Sequence, residues 1–131
     1  PLDTAMFYDA RFGVSIYGSL FNPLTAEPFP TYYCFVAFNE LYKRKAQLKV
    51  ECDDENVYVV GAHGEDGSKA VVIAYAGDEA IPLKVKTDKK IVDCRIITDE
   101  HTYEPIYAPQ TYTPIIPDTL PPHSVLMILM S

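Results

Sequence analysis

Basic residues are scarce in this chain. Eleven Lys and Arg stand against 18 Asp and Glu, a net charge of −7 at pH 7. Duplex nucleic acid and anionic membranes are bound through basic patches, so neither is an expected partner. No run of 18 apolar residues occurs, so no segment is expected to cross a membrane as a helix. Tryptophan is absent, and cysteine is sparse and odd in number. Cys34, Cys52 and Cys94 share neither a metal-ligand spacing nor a close pairing, which argues against a disulfide framework. Each lies in an apolar pattern and is expected to be reduced and buried. Three reduced thiols suit a cytoplasmic setting. His63, His101 and His123 are equally scattered, so no metal site and no cofactor is expected. The opening Pro1-Leu2-Asp3-Thr4 has neither an initiator Met nor a signal-peptide pattern, and we expect a piece cut from a larger protein.

Apolar residues are plentiful. The 131 residues are 48% hydrophobic, enough for the core of one ordinary domain. From Ala46 onward the pattern has period two. "QLKVEC" sets Leu48, Val50 and Cys52 on one face, and "IPLKVK" sets Ile81, Leu83 and Val85 likewise. "VYVVGAH", "KAVVIAYA" and "IVDCRIITD" read as further strands, separated by turns such as "DDEN", "GEDGS", "GDEA" and "TDKK". "HSVLMILM" is apolar on both faces and reads as a central strand. Pro82 places its strand at an edge. Between Asp99 and Pro122 the chain is rich in Pro, Tyr and Thr and reads as irregular extended structure with one or two short strands. The expected fold is mainly β: an antiparallel β-sandwich with one N-terminal α-helix.

That helix is read from "PFPTYYCFVAFNELYKRKAQ", residues 28–47. Prolines stand near its start and Lys43, Arg44 and Lys45 in its last turn, where cations complement the dipole. Its apolar stripe is Cys34, Phe35, Ala37, Phe38, Leu41 and Tyr42, which is expected to cover a sheet. Tyr32, Tyr33 and Val36 fall on the other side. A helix apolar on both sides needs two buried faces. Before it, Met6 to Ala10 reads as a short strand. The proline-punctuated loop that follows carries Phe12, Ile16, Tyr17, Leu20 and Phe21, so a buried partner surface is expected.

Catalytic chemistry is harder to find. Asp53, Asp54 and Glu55 share a turn, as do Glu65 with Asp66 and Asp78 with Glu79. They read as solvated turns, and the calcium-loop pattern of a glycine and a distal glutamate is missing. No nucleophile elbow, phosphate loop or redox cysteine pair is present. Asp9 and Arg11 read either as a buried ion pair or as the remnant of an active-site rim. No catalytic residue is assigned. Tyr103, Tyr107 and Tyr112 are candidates for stacking on sugar rings, or else pack along the sandwich edge.

The segment "MFYDARFGVSIYGSLFNPLTAEPFPTYYCFVAFNELYKRKAQLKV" resembles the end of the catalytic barrel in some clan A glycoside hydrolases. There the last barrel strand leads through a loop to a final helix patterned like YYAF-x-AF-x-x-LY. Here the pattern stands as Tyr32, Tyr33, Phe35, Ala37, Phe38, Leu41 and Tyr42, with Cys34 in the small-residue place. "LPPHSVLMILMS", residues 120–131, is similar to the final sandwich strand. Family 39 β-xylosidases have this layout. The resemblance implies a barrel-derived strand, loop and helix in residues 1–45 and a C-terminal β-sandwich domain in 46–131. It implies an accessory role beside a catalytic barrel whose two glutamates lie on earlier strands, so this chain alone is expected not to hydrolyse glycosides. Tyr17, Phe21, Tyr32, Tyr33 and Val36 become the expected contact to the barrel or to a second copy. Two other readings stay open, a carbohydrate-binding module with an oligosaccharide as partner, and an oligomerisation or scaffold domain.

Overall fold

The computed structural model describes residues 19–131. The expected strand at 6–10, together with Asp9, Arg11, Phe12, Ile16 and Tyr17, lies outside the described residues. Among the described residues, one helix, α1 (Pro30–Arg44), precedes eight strands: β1 (Ala46–Leu48), β2 (Val57–His63), β3 (Lys69–Tyr75), β4 (Ile81–Pro82), β5 (Ile91–Ile97), β6 (Thr102–Pro105), β7 (Thr119–Leu120) and β8 (Ser124–Met130). Six of them form one antiparallel sheet in the order β1-β2-β3-β8-β5-β6, and β4 pairs with β7 in a second, two-stranded sheet. The described residues form a mainly β fold, a β-sandwich with one helix. The doubly apolar "HSVLMILM" holds a central place, between β3 and β5. Pro82 sits in the two-stranded sheet opposite Thr119, where each strand is an edge.

Both faces of the large sheet are buried at its centre, by different means. One face carries Val71, Ile73, Cys94, Leu126 and Ile128, covered by Leu120, Ile81, Leu83, Ile106 and Ile116 of the second layer. The other face carries Ala62, Ala70, Val72, Ile97 and Met127, covered by Ala37 and Leu41 of α1 with Tyr33 and Cys34. Alternation along each strand produces this division, since successive side chains point to opposite faces. The buried hydroxyl of Ser124 donates to the Pro121 carbonyl at 2.7 Å, which satisfies a polar group otherwise costly at that depth.

The helix begins on Pro30 and ends at Lys45, whose φ of 68° puts a non-glycine residue in the left-handed region and stops the helix. The side it turns to the sheet corrects the sequence reading. Phe35, Phe38 and Tyr42 are 42%, 56% and 80% exposed, whereas Ala37 and Leu41 are buried and Tyr33 joins their cluster. Tyr33, Ala37 and Leu41 lie along one line at spacing four, and the small Ala37 lets the backbone come close to the strands. Phe35, Phe38 and Tyr42 form a separate ridge about a third of a turn away. Hydrophobicity alone does not distinguish the two stripes.

Two expected strands are cut short. "QLKVEC" pairs only as far as Leu48, and "IPLKVK" pairs at Ile81 and Pro82 and ends with the Leu83 amide donating to the Asp118 carbonyl. After Leu48 the chain crosses the edge of β2. A Cβ on Gly61 would lie 2.7 Å from Val50 Cγ2 and 3.2 Å from Leu48 Cβ, so glycine is what permits the crossing. Gly61→Ala is expected to cost about 1–3 kcal/mol by displacing that crossover, as a shift of the urea midpoint.

The cysteines also depart from expectation. None is bridged, but only Cys94 is buried; Cys34 is half-buried and Cys52 exposed. Cys52 lies beyond the point where pairing stops, so nothing covers the face it was assigned. Burial, reinforced by the charge of Asp93, pushes the Cys94 thiol up to about 12, and burial raises Cys34 as well. Thiol titration of the native chain with Ellman's reagent should therefore show Cys52 reacting fast, Cys34 slowly, and Cys94 only after denaturation.

Candidate interdomain surface

The start of α1 gathers aromatic residues from three parts of the chain. Phe21 packs on Tyr32 with ring centroids 5.2 Å apart, and Tyr32 meets Tyr33 edge-on at 5.2 Å and 87°. Tyr33 in turn stacks on Tyr103 of β6 at 5.6 Å and 19°. The Arg95 guanidinium lies over the Tyr103 ring, 5.0 Å from its centroid. Each such ring pair contributes about 0.5–1.5 kcal/mol beyond its area.

Local sequence explains each member. Phe21 is brought in by a tight loop in which it bridges Pro28, Asn22 Oδ1 accepts from the Leu24 and Thr25 amides, and the Phe29 amide donates to the Leu20 carbonyl. Tyr103 is the extra residue of a β-bulge. Pairing with β5 runs from Ile96 opposite Glu104 to Ile97 opposite Thr102, and Tyr103 is passed over with φ at 63°. The strain of a left-handed tyrosine, about 1–3 kcal/mol, is offset by its stack on Tyr33 and by Arg95. Burial raises the Tyr103 phenol, an effect partly opposed by Arg95.

Arg95 is held in place from two directions. Its Nε donates to Asp93 Oδ2 at 2.7 Å and its Nη1 to the Tyr103 carbonyl at 3.3 Å. The hydrogen bond to Asp93 raises the guanidinium further above its ordinary value. Sequence reading missed this pair. The available signal was a charged pair at i and i+2 in "IVDCRIIT", which alternation puts on one side of an otherwise apolar strand.

Of the residues singled out from sequence, the structure brings Phe21, Tyr32, Tyr33 and Tyr103 into one ladder. Val36 is half-buried on the flank of α1. Tyr107 and Tyr112 stand apart on the 106–115 turn, 42% and 79% exposed, and neither ring stacks on another aromatic among the described residues. Tyr17 lies outside the described residues. Beside the ladder runs the outer ridge of Phe35, Phe38 and Tyr42, with Leu24 93% exposed at the loop tip. Together they give α1 an apolar outer side.

The far end of α1 is polar. Glu40 receives Lys43 Nζ at 2.6 Å and Arg44 Nη1 at 3.1 Å, and the same Arg44 nitrogen donates to the Glu40 carbonyl at 2.7 Å. Partial burial works to raise the Glu40 carboxyl, but the hydrogen bonds and charges of Lys43 and Arg44 outweigh it and hold it below its ordinary value. A carboxyl lowered in the folded state stabilises above its unfolded value, near 4.5, and that contribution is lost as pH falls through the folded value. Glu40→Gln should therefore cost about 0.5 kcal/mol at pH 7, and urea melts of the two proteins should converge as pH falls through the folded value of Glu40.

No family model matches the sequence, and no curated protein matches it. Among solved structures, the chain is similar to a GH30 endoxylanase from Clostridium papyrosolvens C71, with a TM-score of 0.64 at 12% identity. The likeness covers 85% of this chain and 30% of that one, so the chain spans less than a third of the endoxylanase. At this identity the likeness is one of fold. It lies with a glycoside hydrolase and does not single out family 39.

Proposed function

We propose that this chain is the non-catalytic C-terminal accessory domain of a clan A glycoside hydrolase, and that α1 packs its outer side against the catalytic barrel. The observation that carries the reading is the two-sided helix. One side is buried against the large sheet, while Phe38 and Tyr42 on the other are 56% and 80% exposed. Large aromatic side chains on one ridge of a helix are suited to a second packing partner. The fold likeness to part of an endoxylanase supports a parent that cleaves glycosidic bonds, and a xyloside-cleaving parent is the finer form of the proposal. In this reading the aromatic ladder fixes the start of α1 and so the angle at which the ridge meets the barrel. Its rings are engaged with one another and not arrayed as an open sugar platform.

The test is the double substitution Phe38→Asp with Tyr42→Asp. In residues 1–131 alone it should change stability by no more than about 0.5 kcal/mol, as for surface positions. In the full-length polypeptide it should loosen the two domains, seen as faster limited proteolysis at their junction and a lower melting temperature. Equal proteolysis of wild type and variant would refute the docking.

A further inference from the structure

The second layer of the sandwich is incomplete. It covers β8 and β5 through β4, β7 and the 106–116 turn, but over β2 and β3 it leaves a cleft of about 720 Å³. The floor is apolar: Val57, Val59, Val71, Ile73 and Met130. Val57 and Val59 stay half-buried although they point to the core face. The two rims are residues 48–53 and 83–88. Among the described residues, no backbone–backbone hydrogen bond involves 50–53 or 84–87. These are the segments that sequence pattern reads as strands and that stop pairing early. In 83–86 the alternation nevertheless persists, with Leu83 and Val85 half-buried and Lys84 and Lys86 exposed; residues 49–53 are exposed throughout, with Val50 lying against Gly61.

From this we infer that an extended strand from another part of the parent polypeptide sits between the two rims and completes the second sheet. The inference rests on the reading of this chain as one unit of a larger enzyme. Unpaired strand edges call for a partner carrying its own amides and carbonyls at strand spacing, which an extended peptide supplies. An apolar floor with alternating rims calls for apolar residues inward at every second position. The outward positions of the 83–88 rim are Lys84, Lys86 and Asp88, with Asp88 paired to Lys69, and those of the 48–53 rim are Lys49, Glu51 and Asp53, with Lys49 paired to Glu51. Lys84 and Lys86 deter unplanned pairing on their own edge and select, beside that edge, a strand bearing carboxylates at its outward positions. Insertion would cover Val50 and Cys52, the two exposed members of a stripe whose pattern asks for burial.

Hydrogen exchange followed by mass spectrometry, on the full-length polypeptide and on residues 1–131, tests this. Amides of 50–53 and 84–87 should exchange at least about 100-fold more slowly in the full-length protein, and alkylation of Cys52 by iodoacetamide should slow with them. Lys84→Glu with Lys86→Glu, both outward-facing, should leave the fold intact and cut that protection about tenfold. Equal, fast exchange in both proteins would overturn the inference. So would protection that appears in residues 1–131 only at high concentration, because a second copy would then be the occupant. Docking of the α1 ridge is read separately by the Phe38→Asp, Tyr42→Asp variant. Full-length protein with a covered ridge and open edges would keep the accessory-domain reading and discard this one.

Discussion

Leu41→Ala is expected to destabilise the chain by roughly 2–5 kcal/mol, while Phe38→Ala costs less than about 1 kcal/mol. The two residues are neighbours on the same helix, and the larger side chain has the smaller effect. Leu41 is 6% exposed and wedged among Ala37, Ala62, Ala70, Val72 and Met127, so truncation leaves a void that the strands cannot close. Phe38 is 56% exposed and loses mainly solvent contacts. Urea melts of the two variants in residues 1–131 measure the difference directly. A reversed order would mean that α1 is rotated so that the Phe35, Phe38, Tyr42 ridge faces the sheet.

A chain beginning at Ala46 is expected not to fold. Removing α1 bares Val72, Ile97 and Met127 on strands that are already buried on the opposite face. Burial of a large apolar side chain is worth about 1.5–3 kcal/mol. Three of them, with the alanines beneath, amount to a substantial part of the ~5–15 kcal/mol by which a domain is stable. Far-UV circular dichroism and a flat thermal melt would show the loss. A cooperative transition in the shortened chain would mean that the second layer alone holds the sheet together.

Much of this architecture is legible without coordinates because period two and period 3.6 are local properties of a chain. Helix, turns and the long strands β2, β3, β5 and β8 follow from alternation and from Gly and Asp at the turns. The central place of β8 follows from apolar residues at both parities. Tertiary structure decided what local pattern leaves degenerate. It chose between two apolar stripes on α1, preferring the line through Ala37 because a small residue allows closer packing than Phe35 or Phe38. It joined Tyr33 to Tyr103 across seventy residues of sequence and, through a bulge that no local pattern marks, placed Arg95 over the ring. It also withheld partners from "QLKVEC" and "IPLKVK". Alternation states that a strand has one apolar side, but whether that side is covered depends on a neighbour brought from elsewhere, and that is a property of the packed molecule.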